Sequence, residues 1–433
     1  MEMSATEHIT EPNIPVKKDS MKYVITICLI LTALIFGRSV NNTMFYAFAG
    51  VSLVVFLFSS ISHCFSLLLF LLPFASILKI NVDGMSFFTI LFFVFVLRMM
   101  IAKKTINTNV FMLLMLFVLF CLCFSGFAQI TTIVTMIFGM VMLYHLRTTK
   151  INVNSAVIAF SLGIVLSSSL ALLKDVFPIV NTFVVDSMLR LDSQHYVVRF
   201  AGLQGNPNYY TLDILVVLSV IIVLMYHKST PRIYTVCLIA LSAFGLMSVS
   251  KSFLLCWMLL IVFWFVLSIK QGVGNFMKFL MIGIIGCVVV YLYAYDSINA
   301  YIFRFIGDSG GTWGSITTGR TNIWKQYIDI IFNDIKIFLF GNGLNTIASG
   351  LKGTHNTYLE ALFSLGILGT GLLMASIKAC MGKIISKPIM WIPVIILFVR
   401  MIAIGILTYD NLWLYLAIFV CISRYVATIN NEV

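Results

Sequence analysis

Apolar runs long enough to cross a bilayer recur along almost the whole chain. They start near Tyr23, Met44, Phe65, Met85, Val110, Gln129, Val153, Tyr209, Ile233, Phe253, Phe279, Thr357, Ile389 and Leu412. The pattern predicts about 12–14 spans, fourteen if every run counts. Lipid offers backbone groups no hydrogen-bond partners, so a spanning segment is either a helix or a strand of a closed barrel. Uninterrupted runs, rather than alternating apolar and polar positions, select the helix. The predicted fold class is all-α, a polytopic transmembrane helical bundle. The two runs between Val110 and Tyr144 are each short and fit either two spans or a tilted or re-entrant hairpin.

The polar breaks between the runs are unequal, and two long ones divide the chain. Residues 1–21 form a polar tail, 22–173 the N-terminal helices, 174–208 a first long loop, 209–296 the central helices, 297–356 a second long loop and 357–433 the C-terminal helices. Long loops in an otherwise tight chain carry function more often than chance, although a tolerated insertion also fits length alone.

Composition makes lipid the only fitting solvent. Of 433 residues, 61% are hydrophobic and 10% charged, against about 25% charged in soluble domains. A net charge of +12 would suggest a nucleic-acid partner in a soluble protein; here the placement of the cations matters more than their sum, and no nucleic acid is expected. Threading fourteen spans with the N-terminus inside makes every inner loop but one basic, from Lys17, Lys18 and Lys22 through Lys103, Lys104, Arg147 and Lys150 to Lys383, Lys387 and Arg424. Both termini are then cytoplasmic and both long loops extracytoplasmic. The first run follows Lys22 and lacks a small-residue cleavage site, so it reads as an uncleaved span. All nine cysteines fall in apolar runs. Disulfides are not expected, and Cys121 and Cys123, two apart on a helix, face different ways.

Candidate chemistry gathers in the long loops. In the first, Arg199-Phe-Ala-Gly-Leu-Gln-Gly-Asn206-Pro-Asn208 leads into a helix. Asn208 is the predicted cap, and a cation beside a helix N-terminus makes a phosphate seat. An interfacial arginine at a capped turn fits the spacing equally well. In the second loop, Thr318-Gly-Arg320-Thr321 precedes Trp324, Tyr327, Ile328, Ile331, Ile335 and Phe338 at helical spacing. This predicts an amphipathic helix in the outer interface, capped by Thr321 with Arg320 at its positive end. Arg320 is either a phosphate ligand or an anchor to anionic headgroups.

Gly353-Thr-His355-Asn356-Thr-Tyr-Leu-Glu re-enters the membrane. An imidazole at that mouth can take a proton from an attacking sugar hydroxyl, or it is polar surface; His195 in the first loop is the rival. Ser250-Lys251-Ser puts a lysine in a short outer loop, as a phosphate ligand or a snorkelling side chain. Arg400 falls in the middle of the thirteenth run. An intramembrane arginine needs a partner, for which Asp410 or a lipid phosphate is available. The outer segments hold no Asp-x-Asp and no His-x-x-x-His, so no metal or other cofactor is expected. In the first long loop Asp186 and Asp192 are the only near pair of acids, and no close carboxylate pair is evident, which favours single over double displacement.

The ordered set of Arg199, Asn206-Pro-Asn208, Ser250-Lys251-Ser, Gly-Arg320 with Trp324, Gly-Asn-Gly and His355-Asn356 resembles the O-antigen ligase and Wzy-type O-antigen polymerase superfamily of bacterial membrane glycosyltransferases. The resemblance covers about Val198 to Gly371. It implies a GT-C-like, metal-independent inverting transferase of the bacterial cytoplasmic (inner) membrane, with an undecaprenyl-pyrophosphate-linked glycan as donor and the site on the periplasmic side. Arg199 and Arg320 match the family's pyrophosphate-binding arginines and His355 matches the histidine that activates the acceptor. Lys251 stands where the family has arginine, which keeps the charge and loses the bidentate fork. Asn206, Asn208, Asn356 and Arg400 are expected to support them. Implied partners are membrane lipids and a chain-length regulator and flippase of the same pathway. The stretch from Gly353 into Leu365-Gly366 looks closer to polymerases. A ligase that hands glycan to lipid A-core, or a flippase, are the alternatives.

Overall fold

The computed structural model describes residues 35, 37, 42–79, 86–102, 105–185, 187–190, 196–227, 232–306, 320–344, 347–348, 350–382 and 387–431. The run at Tyr23, His195, Asp186, Asp192, Thr318 and the residue after it lie outside them. Two compact units are distinguished, Met1–Val54 and Val55–Val433. The first contributes the start of α1 (Asn42–Phe58).

The chain is an all-α, multi-pass membrane protein. Among the described residues, seven helices are long and apolar enough to cross a membrane, and six further apolar helices are shorter. In order they begin with α2 (Ile61–Leu71), α3 (Phe87–Ala102), α4 (Thr108–Ser125), α5 (Ile130–Leu146) and α6 (Val153–Leu172). The Val110–Tyr144 region forms two helices, α4 and α5, each long and apolar enough to cross a membrane. Arg98, on α3, closes the end of α1 by donating to the carbonyls of Phe56 (2.6 Å) and Ser59 (2.7 Å), as basic side chains do for unpaired C-terminal carbonyls.

After α6 the first long loop holds a short helix α7 (Pro178–Asn181) and an antiparallel pair, β1 (Ser187–Arg190) with β2 (Tyr196–Arg199), in which Ser187 faces Arg199. Then come α8 (Pro207–Tyr226), α9 (Ile233–Met247), α10 (Lys251–Lys270) and α11 (Val273–Ile306). The second loop was expected to open near Ser297; instead α11 continues to Ile306, because Tyr301 docks on Ser250 and keeps the chain helical.

Burial sorts these helices. Every residue of α8 from Tyr210 to Leu224 is buried, the behaviour of a helix apolar on all faces. By contrast α4 and α10 leave large apolar side chains such as Met112, Leu116, Leu255 and Met258 exposed. An apolar surface of this extent belongs in lipid. Cys121 is buried and Cys123 exposed, on different faces as their spacing requires.

The remaining helices are α12 (Arg320–Asn333), α13 (Ile335–Phe340), α14 (Thr357–Met381), α15 (Trp391–Met401) and α16 (Asp410–Asn431). One amphipathic helix was expected across Trp324–Phe338. There are two, because the Asp334 side chain accepts from Lys336 N (2.8 Å) and Ile337 N (3.4 Å) and so starts a new helix. Their apolar faces are not given wholly to the lipid interface: Tyr327 and Ile331 are buried in a cluster with Ala348 and Phe363 of α14. At Gly366 α14 kinks with φ +61°, and the end of α13 lies against the bend, where Asn342 N donates to Phe363 O at 2.8 Å.

Candidate functional site

Three helix N-termini meet at one end of the second unit. Asn206 caps α8, its side chain accepting from Asn208 N at 2.9 Å. The cap is therefore Asn206, not Asn208: proline at position 207 is the natural first helical residue, which moves the start two residues earlier. Ser250 caps α10 and makes Lys251 its first residue. Asn356 caps α14 through Tyr358 N (3.0 Å) and Leu359 N (3.2 Å). The first two helix starts touch, since Ser250 Oγ lies 3.3 Å from Asn208 Oδ1 in the first turn of α8. Each N-terminus contributes partial positive charge and unpaired N–H groups.

Arg400 ties the first two together. It is 0% exposed, and it sits in the last turn of α15 rather than mid-span. Its guanidinium donates to Asn208 O (2.8 Å), Thr211 Oγ1 (2.8 Å) and Ser252 Oγ. Asp410, one of the two expected partners, is not among them. Asp410 accepts from Thr89 Oγ1 at 2.6 Å instead, and the planar fork of Arg400 is matched by neutral oxygens at the ends of α8 and α10.

Beyond Arg400 the chain leaves the helix at Ile402 and runs to Tyr409 as a connection clasped from three sides. Arg320 donates to Ala403 O (2.8 Å), Thr357 Oγ1 to Ile404 O (2.6 Å) and Tyr209 OH to Gly405 O (2.8 Å). The helix α12 includes Arg320 and Thr321, so Thr321 is not its cap. This still leaves Arg320 in the first turn. Arg199, at the end of β2, donates from Nε to Ser248 O at 3.2 Å, two residues before the α10 cap. Arg199, Lys251, Arg320 and Arg400 are thus brought to one set of helix ends.

The helix α12 also places His355. Trp324 Nε1 donates to Thr354 O (2.9 Å), Tyr327 OH donates to Lys352 O (3.1 Å), and Ala348 N donates to Tyr327 OH (3.1 Å). With Asn356 held by its cap and by Thr354, His355 is left at φ 47° between two buried residues. Such a backbone stores roughly 1–3 kcal/mol and persists only where its surroundings fix it. The residue is exposed overall yet lines a cavity of 340 Å³ with Tyr209, Thr354, Glu360, Thr408 and Tyr409. Partial burial, and then the charge of Arg320, push its pKa below the ordinary 6.5. A neutral imidazole, able to accept a proton, is thereby favoured.

Glu360 escaped the sequence reading. It is 5% exposed, its Oε2 has no hydrogen-bond partner among the described residues, and it faces the same cavity as His355. The available signal was an acid one turn inside an apolar run, but a carboxylate in the first turn of a helix is also what the dipole favours. Tyr209 was likewise in view only as the first residue of a run. No family model, no curated protein and no solved structure matches the chain.

Proposed function

We propose that the chain is a glycan-joining transferase of the bacterial cytoplasmic membrane, GT-C-like in architecture, that polymerises repeat units carried on undecaprenyl pyrophosphate at the periplasmic face. The observation that carries the reading is the bond from Arg400 to both Asn208 and Ser252, with Arg320 fastened three residues further on at Ala403. It holds the starts of α8 and α10 against Arg400, and Arg320, fastened to the same connection, lies close enough to His355 for its charge to act on the imidazole. Cations beside helix N-termini are the electrostatic requirement of a departing pyrophosphate, whose developing charge is best stabilised by fixed positive groups in a poorly hydrated setting.

In this reading the acceptor hydroxyl attacks the anomeric carbon while His355 takes its proton. The bond from that carbon to the phosphate oxygen breaks with inversion, and undecaprenyl pyrophosphate leaves with the electron pair. Arg199, Lys251 and Arg320 bind the pyrophosphate, while Arg400, buried beneath them, positions the helix ends that frame it. Lysine at position 251 acts as a point charge without a fork.

The test is incubation of the purified protein in liposomes with one defined lipid-linked repeat unit, products being read by size. A ladder supports the polymerase. A single transfer to lipid A-core and no ladder supports a ligase built on the same site. Translocation of the lipid-linked unit without a new glycosidic bond overturns the transferase reading.

A further inference from the structure

A second and larger cavity, of 780 Å³, adjoins the one that holds His355, and Tyr209, Thr408 and Tyr409 line both. Its volume falls within the range that encloses drug-sized ligands. The lining is neither apolar nor strongly charged. From α5 come Thr131, Thr132 and Thr135, which share one helix face by their spacing, and whose hydroxyls make no hydrogen bond among the described residues. Opposite them, Gln204 and Asn206 approach from the start of α8 and Asn411 from α16. The two ionic groups of the lining, Lys79 and Asp410, are of opposite sign, and the charge of Lys79 acts on Asp410. Arginine, the residue best shaped for phosphate, is missing from the described lining.

We propose that this cavity is a subsite for an uncharged stretch of oligosaccharide, the acceptor glycan of the reaction proposed above, on which this assignment rests. Hydroxyl and amide side chains offer the paired donors and acceptors that sugar hydroxyls need. The rings of Tyr209 and Tyr409, 4.9 Å apart at the shared wall, offer apolar ring surface against which a sugar face can pack. An acceptor lying here approaches His355 along the residues that both cavities share, with its terminal hydroxyl directed at the imidazole. A free phosphate or a pyrophosphate headgroup is disfavoured, because Asp410 offsets the one cation.

The experiment uses the full chain in nanodiscs and, as probe, phosphate-free oligosaccharides released by mild acid from the source organism's own surface polysaccharide. Wild type is expected to bind them, and Thr132→Trp, which fills the cavity, to weaken binding at least about tenfold. Asn411→Ala, a smaller change, is expected to weaken it roughly fivefold. Both variants are expected to bind undecaprenyl pyrophosphate as wild type does, which also reports that they are folded; if Thr132→Trp fails that check, Asn411→Ala decides. Unchanged oligosaccharide affinity in the folded variants overturns the subsite, as does displacement of the oligosaccharide by inorganic pyrophosphate. The two readings fail separately. A wild type that binds oligosaccharide here but forms no glycosidic bond refutes the transferase and not the cavity's ligand, whereas a normal ladder with insensitive variants refutes the subsite alone.

Discussion

Arg400 donates to the backbone carbonyl of Asn208 at 2.8 Å across 192 positions of sequence. The bond joins the end of one apolar helix to the start of another. It also explains why a cation is kept out of water: its other bonds hold Thr211 and Ser252, so the guanidinium acts as a rivet between α8 and α10.

Replacing it should loosen that rivet. Arg400→Met leaves three acceptors without their donor, at about 1–3 kcal/mol for each one that water does not reach. The thermal midpoint of the purified protein should fall markedly, and donor affinity with it. Arg400→Lys, with charge but no fork, should fall between. A midpoint unchanged in Arg400→Met would show that the buried bonds contribute nothing net.

Arg199→Ala and Arg320→Ala should each weaken undecaprenyl-pyrophosphate binding roughly tenfold or more, the scale of a charge-assisted hydrogen bond. Titration of the lipid against protein in nanodiscs checks this. Unchanged affinity in both variants removes the pyrophosphate clamp.

His355→Ala should abolish elongation and leave donor binding intact. The pH profile gives a finer reading. Burial and Arg320 lower the imidazole pKa, so the neutral, proton-accepting form persists below pH 6.5, and the rate should fall only as pH drops through the lowered value. Arg320→Gln removes one cause of the lowering and should shift that acid limb upward, toward 6.5, when single-turnover rates are compared. An acid limb that stays in place would disconnect Arg320 from the base.

Gly366→Ala should be strongly destabilising. A Cβ there would stand 2.5 Å from Gly341 N and from the Leu339 carbonyl carbon, at φ +61°. The backbone conformation alone costs a non-glycine residue roughly 1–3 kcal/mol, and the clash adds to it by forcing α13 off the α14 bend. Thermal unfolding reads the first effect, and faster protease cleavage between α12 and α14 the second.

Much of this was legible before any coordinates. A run of apolar residues long enough to cross lipid has one inexpensive conformation, so the helices that follow Met44 in the chain fall where the runs fall. Caps were harder, since Asn206 and Asn208 are equally good cap residues and only the proline between them selects the first. The split between α12 and α13 was missed because the apolar period continues through Asp334, whose side chain overrides it locally. Arg320 and His355 were visible as polar side chains that a membrane protein has reason to place with care. Glu360 and the threonines of α5 were not, since each reads as an ordinary member of an apolar segment until a cavity opens beside it.

The sequence by itself determined that the chain is helical and membrane-embedded, because those properties follow from local hydropathy and the obligation of each backbone group to bond within its own segment. Only the tertiary structure decided which helix ends meet, that Arg400 answers to Asn208, Thr211 and Ser252 rather than to Asp410, and that the His355 cavity shares a wall with a larger polar one. Those relationships join residues scores to hundreds of positions apart, and no periodicity records them; they exist only where packed helices bring distant termini within hydrogen-bond reach.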